Sequence, residues 1–313
     1  MDSISLSLLI DLSKRHQLSL CAFTGVEPLS DSESRLQKWQ EAGFAGEMAY
    51  MNRPSDLLTQ PLKLMPLARS ILVFSIDYDS SPHRPLVPGF GRVARYAWGK
   101  DYHLVIREKI HLFLNELELE SGLKVSSRIF SDSVPLLERA LAERAGLGFI
   151  GKNTMLIQAG RGSFFFIAEA LVDFEIKDDR PISLNLISHC SSCSKCLASC
   201  PTDAFDEERV LNASKCISYL SIEKRGMLTD EEMESLGEWI FGCDVCQDVC
   251  PFNHSTLKSS NSIGLEEFSS RAGIGDQLSL REVLSIRTNQ EFKSRFLNTA
   301  LLRAKREGLL RNA

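Results

Sequence analysis

The stretch HCSSCSKCLASCP, residues 189–201, limits what this chain can fold into more than any other feature. Cys190, Cys193, Cys196 and Cys200 follow a C-x2-C-x2-C-x3-C-P pattern. A second run, CDVCQDVCP, holds Cys243, Cys246 and Cys250, with Cys216 upstream. Eight of the nine cysteines therefore fall between residues 190 and 250, in a segment with little continuous apolar pattern. Such a segment must be held together by what its thiols bind. The N-terminal MDSISLSLLIDLSKRHQ reads as an amphipathic helix rather than a signal peptide, and no run of 18 uncharged apolar residues spans a membrane. The expected location is the cytoplasm, where thiols stay reduced, so a disulfide framework is disfavoured.

The spacing names the chemistry. Three thiolates two residues apart wrap one face of an iron–sulfur cube, and the fourth cysteine before the proline is carried to a neighbouring cube. This assigns Cys190, Cys193, Cys196 and Cys250 to one [4Fe–4S] cluster. Cys200, Cys216, Cys243 and Cys246 go to a second. The alternative is a pair of four-cysteine zinc sites, but zinc favours separated C-x2-C knuckles, which a triple run does not match. Cys21 lies in an apolar strand and reads as a buried hydrophobe.

The rest of the 313 residues, 43% hydrophobic, suffice for one large domain beside this small one. SLCAFTGV, SILVFSIDY, KVSSRIF and SFFFIAEALVDF read as strands. DYHLVIREKIHLFLNELELESG reads as a helix ending at Gly122. SVPLLERALAERAG reads as a helix capped by Ser133, with Pro135 in its first turn and Gly146 at its end. These place a mixed-strand α/β domain over 1–182, with the character changing around KDDRPIS. A ferredoxin-like module follows over 183–256 and a helical segment over 257–313, whose last helix is LLRAKREGLLRN. GLGFIG (146–151) matches a dinucleotide glycine spacing but follows a helix and precedes a strand, the reverse of a phosphate-binding turn. The net charge is −5, which excludes a uniformly basic nucleic-acid binder. From Arg281 onward, however, eight basic and three acidic residues make the tail net +5, either a solvated face or a phosphate-contacting one.

GEMAYMNR (46–53), RYAWGKDYH (95–103), DSVPLLERALAERAGLGFIGKNT (132–154), the first cysteine run, CISYLSIEKRG (216–226) and CDVCQDVCPFN (243–253) together resemble the epoxyqueuosine reductase family along essentially the whole chain. The resemblance implies a cobalamin-dependent, double-cluster oxidoreductase. Its members reduce epoxyqueuosine to queuosine at the wobble position of tRNA, the last step of queuosine synthesis. It implies a nitroreductase-like and reductive-dehalogenase-like cobalamin domain and a HEAT-like C-terminal segment. Reduced flavodoxin or ferredoxin would be the electron donor, and the chain would act as a monomer.

The family's proton donor is the aspartate that opens the D-S-x-P-L-L-E-R motif, here Asp132. Its place between a strand and a helix is one where side chains project into a cleft, although an aspartate there can also be a helix cap. Arg139, seven residues on, would share its helix face, or pair with Glu143 instead. The resemblance implies corrin contacts at Arg53, Tyr96, Asp132, Arg139, Leu156, Ile167, Ser218, Asp244 and Val245. It implies tRNA contacts at Tyr102, His103, Lys224 and Arg225, and along Lys293 to Arg311; Asp101 falls in the same motif. His103 is not expected to ligate cobalt. Two other readings share the clusters: a corrinoid dehalogenase of organic halides, and a ferredoxin-type carrier without catalysis.

Overall fold

The computed structural model describes residues 3–78, 80–134, 136–178, 190–256 and 264–313. Pro135, His189, most of KDDRPIS and the boundary at 182/183 lie outside them. The elements that position the site are seven strands and seven helices. The strands are β1 (Leu20–Thr24), β2 (Ser70–Asp77), β3 (Phe90–Val93), β4 (Ser127–Phe130), β5 (Phe165–Val172), β6 (Trp239–Phe241) and β7 (Gln277–Ser279). The helices are α1 (Leu6–Arg15), α2 (Tyr102–Ser121), α3 (Glu138–Arg144), α4 (Lys195–Ala198), α5 (Ile217–Ile222), α6 (Val245–Asp248) and α7 (Lys305–Asn312).

The main sheet runs β1-β2-β5-β4, and every pairing in it is antiparallel. A mixed sheet was expected. Composition cannot separate the two, because a central strand covered on both faces reads as a continuous apolar run in either orientation. β5 is such a strand. Phe166, Ala168, Ala170 and Val172 face the large core with α1 and α2, while Phe165 and Leu171 face a second cluster with Leu141 and Ala142 of α3. The long helix α2 buries Ile106, Ile110, Phe113, Leu114 and Leu117 at helical spacing and stops at Gly122, whose φ of 71° suits a residue without a side chain. Cys21 is buried in the same core.

The mixed pairing occurs in a smaller sheet, β6-β3-β7, with β6 parallel and β7 antiparallel to β3. β6 leads directly to Cys243, and β7 comes from the segment read as wholly helical. Leu278 there pairs with Gly91, and a three-residue strand carries too few alternations to stand out in a polar stretch. Phe268, Phe292, Phe296, Leu301 and Leu309 join the large core, so the C-terminal residues close the main domain. Their helices are short, with 5, 7 and 8 residues at Leu280–Leu284, Asn289–Arg295 and α7. Among the described residues no helix is long and apolar enough to cross a membrane.

Candidate active site and thiol cradle

Asp132 stands two residues beyond β4, with a φ of 51°. A non-glycine residue in this left-handed region costs on the order of 1–3 kcal/mol and needs surrounding contacts to hold it there. Tyr102 supplies one: its hydroxyl donates to Asp132 Oδ2 at 2.6 Å. The Tyr102 ring is sandwiched between Phe166, with centroids 4.4 Å apart, and His103 at 4.0 Å. Burial, followed by the negative charge of Asp132, pushes its phenol well above the usual range, so it stays a donor. The backbone N–H of Asp132 donates to Glu138 Oε1 at 2.7 Å.

Two local expectations are corrected. α3 begins at Glu138 with Leu137 at its N-cap position, and Ser133 caps nothing. Asp132 is therefore neither a helix cap nor within the first-turn field of a helix. Arg139 does not reach it by helical phase but by opening α3 at the same cleft. Its guanidinium donates to Thr154 Oγ1 at 3.2 Å and feels both Asp132 and Glu138. Glu143, its suggested partner, accepts from the Ile150 N–H instead. Arg139 is exposed, and desolvation by the surrounding protein lowers its pKa against the pull of Asp132 and Glu138.

Tyr96 occupies the wall between Asp132 and Asp244. Burial first, then these carboxylates and Glu223, raises its phenol well above the ordinary value. Tyr50 stands at the rim under the Arg303 guanidinium, 5.3 Å from its ring centroid, and burial pushes its phenol up to about 12. Arg53 is exposed on the neighbouring loop. That loop is pinned where Gly46, with φ 54°, lies against Tyr219; a Cβ there would come within 2.6 Å of the ring. Ile167 is half-buried beside α3, whereas Leu156 is 3% exposed inside that core and has almost no surface to offer a ligand.

Several residues expected at the RNA or corrin surface are committed elsewhere. Tyr102 is 7% exposed and belongs to Asp132. His103 pairs through Nδ1 with Asp101 at 2.7 Å. Lys224 pairs with Glu232 at 2.5 Å, and Arg225 donates to the Ala304 carbonyl at 3.3 Å. In the basic tail, Arg303 pairs with Glu223, Arg295 with Glu282, Arg306 donates to the Ile286 carbonyl, and Arg311 to the carbonyls of Leu220, Lys224 and Gly226. The Asp244 carboxylate is 1% exposed. It accepts from the Arg95 backbone N–H at 2.9 Å, Arg95 Nη1 at 3.0 Å and His83 Nε2 at 2.9 Å.

The thiols fall into two neighbouring groups. Cys196 feels Cys190 and Cys250, and Cys250 feels Cys190 and Cys193. Cys216 feels Cys200, and Cys243 feels both of these. Cys246 feels Cys243, Cys216 and also Cys196, so the groups adjoin. Burial raises all five of these thiols. Backbone N–H groups turn toward the sulfurs, from Lys152 to Cys190 and from Ala204 to Cys200, both at 3.4 Å, and from Ser218 toward Cys216. Apposed sets of thiols with N–H donors suit cubes held by thiolates.

The comparisons agree with this arrangement. Residues 189–253 match the model of a "4Fe-4S double cluster binding domain", and residues 59–133 match "Epoxyqueuosine reductase QueG, DUF1730". An epoxyqueuosine reductase of Leadbetterella byssophila is 38% identical over 93% of this chain and 91% of its own. The chain belongs to the epoxyqueuosine reductase family. An epoxyqueuosine reductase of Synechocystis is 36% identical, covering 92% of this chain and 98% of that one. An epoxyqueuosine reductase solved with an epoxyqueuosine-modified tRNA stem loop superposes with a TM-score of 0.84 at 30% identity, over 98% of this chain and 79% of that one. A Bacillus subtilis epoxyqueuosine reductase, caught with its catalytic aspartate loop swung out of the active site, gives 0.82 at 31%, with the same coverage. As a member of the epoxyqueuosine reductase family, the chain is an oxidoreductase with an iron–sulfur binding domain.

No signal in the sequence marked a role for Glu138, Glu169, Arg95 or His83. Glu138 is the glutamate of the D-S-x-P-L-L-E-R motif itself. Glu169 stands out only as a lone acid inside the apolar strand FFIAEALV.

Proposed function

We propose that the chain reduces epoxyqueuosine to queuosine at the wobble position of tRNA, using a cobalamin, Asp132 as proton donor and electrons delivered through two [4Fe–4S] clusters. The observation that carries this reading is the placement of Asp132. It is a carboxyl group held in a strained turn by Tyr102, and Tyr96 feels both it and Asp244, which stands between two thiols of the second group. The relative solved with a modified tRNA stem loop and the one named for its catalytic aspartate loop support it.

The residues present fit both cofactors. Cys190, Cys193, Cys196 and Cys250 would hold one cluster and Cys200, Cys216, Cys243 and Cys246 the other, with α4 and α6 packed against each other. For cobalamin the supporting observation is that Arg139, exposed at the start of α3, and Tyr96 both lie within the field of Asp132. Arg53, Tyr96, Arg139, Ile167, Ser218 and the peptide groups at Asp244 and Val245 would hold it. Bound there, it would supply low-potential electrons at the substrate carbon. The protein's own part is to place a proton. Asp132, fixed by Tyr102 and Glu138, would donate to the epoxide oxygen as its C–O bond breaks. Reduced flavodoxin or ferredoxin would feed the clusters, with the chain working as a monomer. Exposed Lys293 and Lys305 would meet phosphates of the RNA backbone.

The test is mass analysis of tRNA from cells lacking the protein. Epoxyqueuosine should accumulate, wild-type protein should convert it, and Asp132→Asn should not, although its iron content and base-off Co(II) EPR signal stay intact. Full conversion by that variant removes Asp132 from the mechanism.

A further inference from the structure

Three carboxyl groups converge where β4, β5 and α3 meet, and only one has a role above. Glu169 lies on central strand β5, opposite Phe130 at the end of β4 and Val73 of β2. Its side chain points to the face that carries Phe165, Ile167 and Leu171, into the cluster formed with Leu141 and Ala142 of α3. It is 0% exposed, and neither carboxyl oxygen has a hydrogen-bond partner. Native structures rarely leave a charged group this way. A bare ionised carboxylate inside an apolar cluster costs many kcal/mol, so it takes up a proton instead. Glu138, at the start of α3 over the same strand, feels Glu169 first and Asp132 second among its charged neighbours. Its Oε1 already holds the Asp132 backbone. Exposure rises stepwise along the trio: Glu169 is sealed in the core, Glu138 is half-buried, and Asp132 opens on the cleft.

The reaction proposed above needs two protons and Asp132 carries one. Epoxide, two electrons and two protons give an alkene and water. The first C–O bond breaks as the oxygen takes a proton, and the second breaks as the hydroxyl leaves with another proton as water. The electrons come from a low-potential one-electron donor protein acting twice. We propose that Glu169 is the store of the second proton: a neutral acid in the core that re-protonates Asp132 within one turnover, through Glu138 once that side chain turns from the Asp132 N–H to meet it. This rests on the functional reading above. Burial is the larger cause holding both glutamates protonated, and their negative neighbours add to it: Glu169 and Asp132 for Glu138, Asp132 for Glu169. Arg139 opposes it at Glu138, and Tyr102 faces Asp132 from α2.

The experiment compares the anaerobic holoenzyme with its Glu169→Gln and Glu138→Gln variants. Infrared spectroscopy at neutral pH should show protonated-carboxyl absorption that shifts in D2O, with the Glu169 band lost in Glu169→Gln and the Glu138 band lost in Glu138→Gln. That variant should fold and keep its iron, because glutamine copies the shape of the neutral acid. With an epoxyqueuosine-modified stem loop, its single-turnover rate should fall about a hundredfold at pH 8 and much less near pH 6, where solvent protons substitute. Glu138→Gln should share this pH profile. The proposal is overturned if wild type lacks the Glu169 band, if Glu169→Gln keeps the wild-type pH profile, or if it fails to fold, which would mean an ionised, paired glutamate. Wild type that shows the Glu169 band but leaves the stem loop unreduced refutes the functional reading instead, and the proton role with it.

Discussion

Replacing Arg95 by methionine should loosen the joint between the α/β domain and the second thiol group. Arg95 is 3% exposed and Asp244, set between Cys243 and Cys246, is 1%. The guanidinium donates to Asp244 at 3.0 Å, to Asp248 at 2.7 Å and to the Ser81 carbonyl at 2.9 Å, and lies 4.9 Å from the Phe164 ring centroid. Breaking a buried ion pair from one side costs about 3–5 kcal/mol, because the remaining charge loses its partner. Asp244 would keep His83 Nε2 and the Arg95 backbone N–H, both at 2.9 Å, and Asp248 can turn to water. Methionine fills much of the vacated space. The lower end, about 3 kcal/mol, is therefore expected. Trp98 and Trp239 both lie edge-on to His83, at 5.2 and 5.3 Å, so tryptophan fluorescence reads this joint directly during an anaerobic urea titration of cluster-loaded protein. Iron released to a chelator should rise in parallel. Adding Asp244→Asn should recover most of the loss, since the stranded charge is its main cause. A single variant within about 1 kcal/mol of wild type, with unchanged iron release, would refute the reasoning.

The remaining predictions concern cofactors, RNA and pH. Cys200→Ala and Cys250→Ala should each lose about half the iron but different EPR signals, since the two thiols belong to different groups; identical residual spectra would contradict that partition. Affinity for the stem loop should fall with salt, and neutralising Lys293 or Lys305 should reduce the log–log slope by about 0.7 each, as measured by fluorescence anisotropy. Glu138 and Glu169 have pKa values raised well above normal. The folded chain thus holds protons that the unfolded chain releases above about pH 4.3, and stability should fall as pH rises from there until the buried acids ionise. Glu169→Gln should flatten that decline in urea midpoints measured against pH.

Much of the fold was legible because burial leaves a trace in the sequence. The continuous apolar run of β5 and the helical spacing of α2 follow from which side chains must leave water, and Gly122 ends α2 for a local steric reason. The start of α3 was misplaced because Ser133 looks like a cap in isolation. β7 was missed because its partner, β3, lies far away in sequence.

The same division runs through the site. Two-residue and three-residue gaps between cysteines restrict the reach of each thiol, so the sequence by itself determined which chemistry the cradle suits and that Cys200 must turn away from its neighbours. The motif also marked Asp132. What surrounds Asp132 is a matter of tertiary structure alone. Tyr102 reaches it from α2 and Glu138 from α3, and Glu169 approaches from a strand whose outward appearance is plain core. A carboxyl group's protonation depends on neighbours and desolvation within a few ångströms, and those are set by chain segments far apart in sequence.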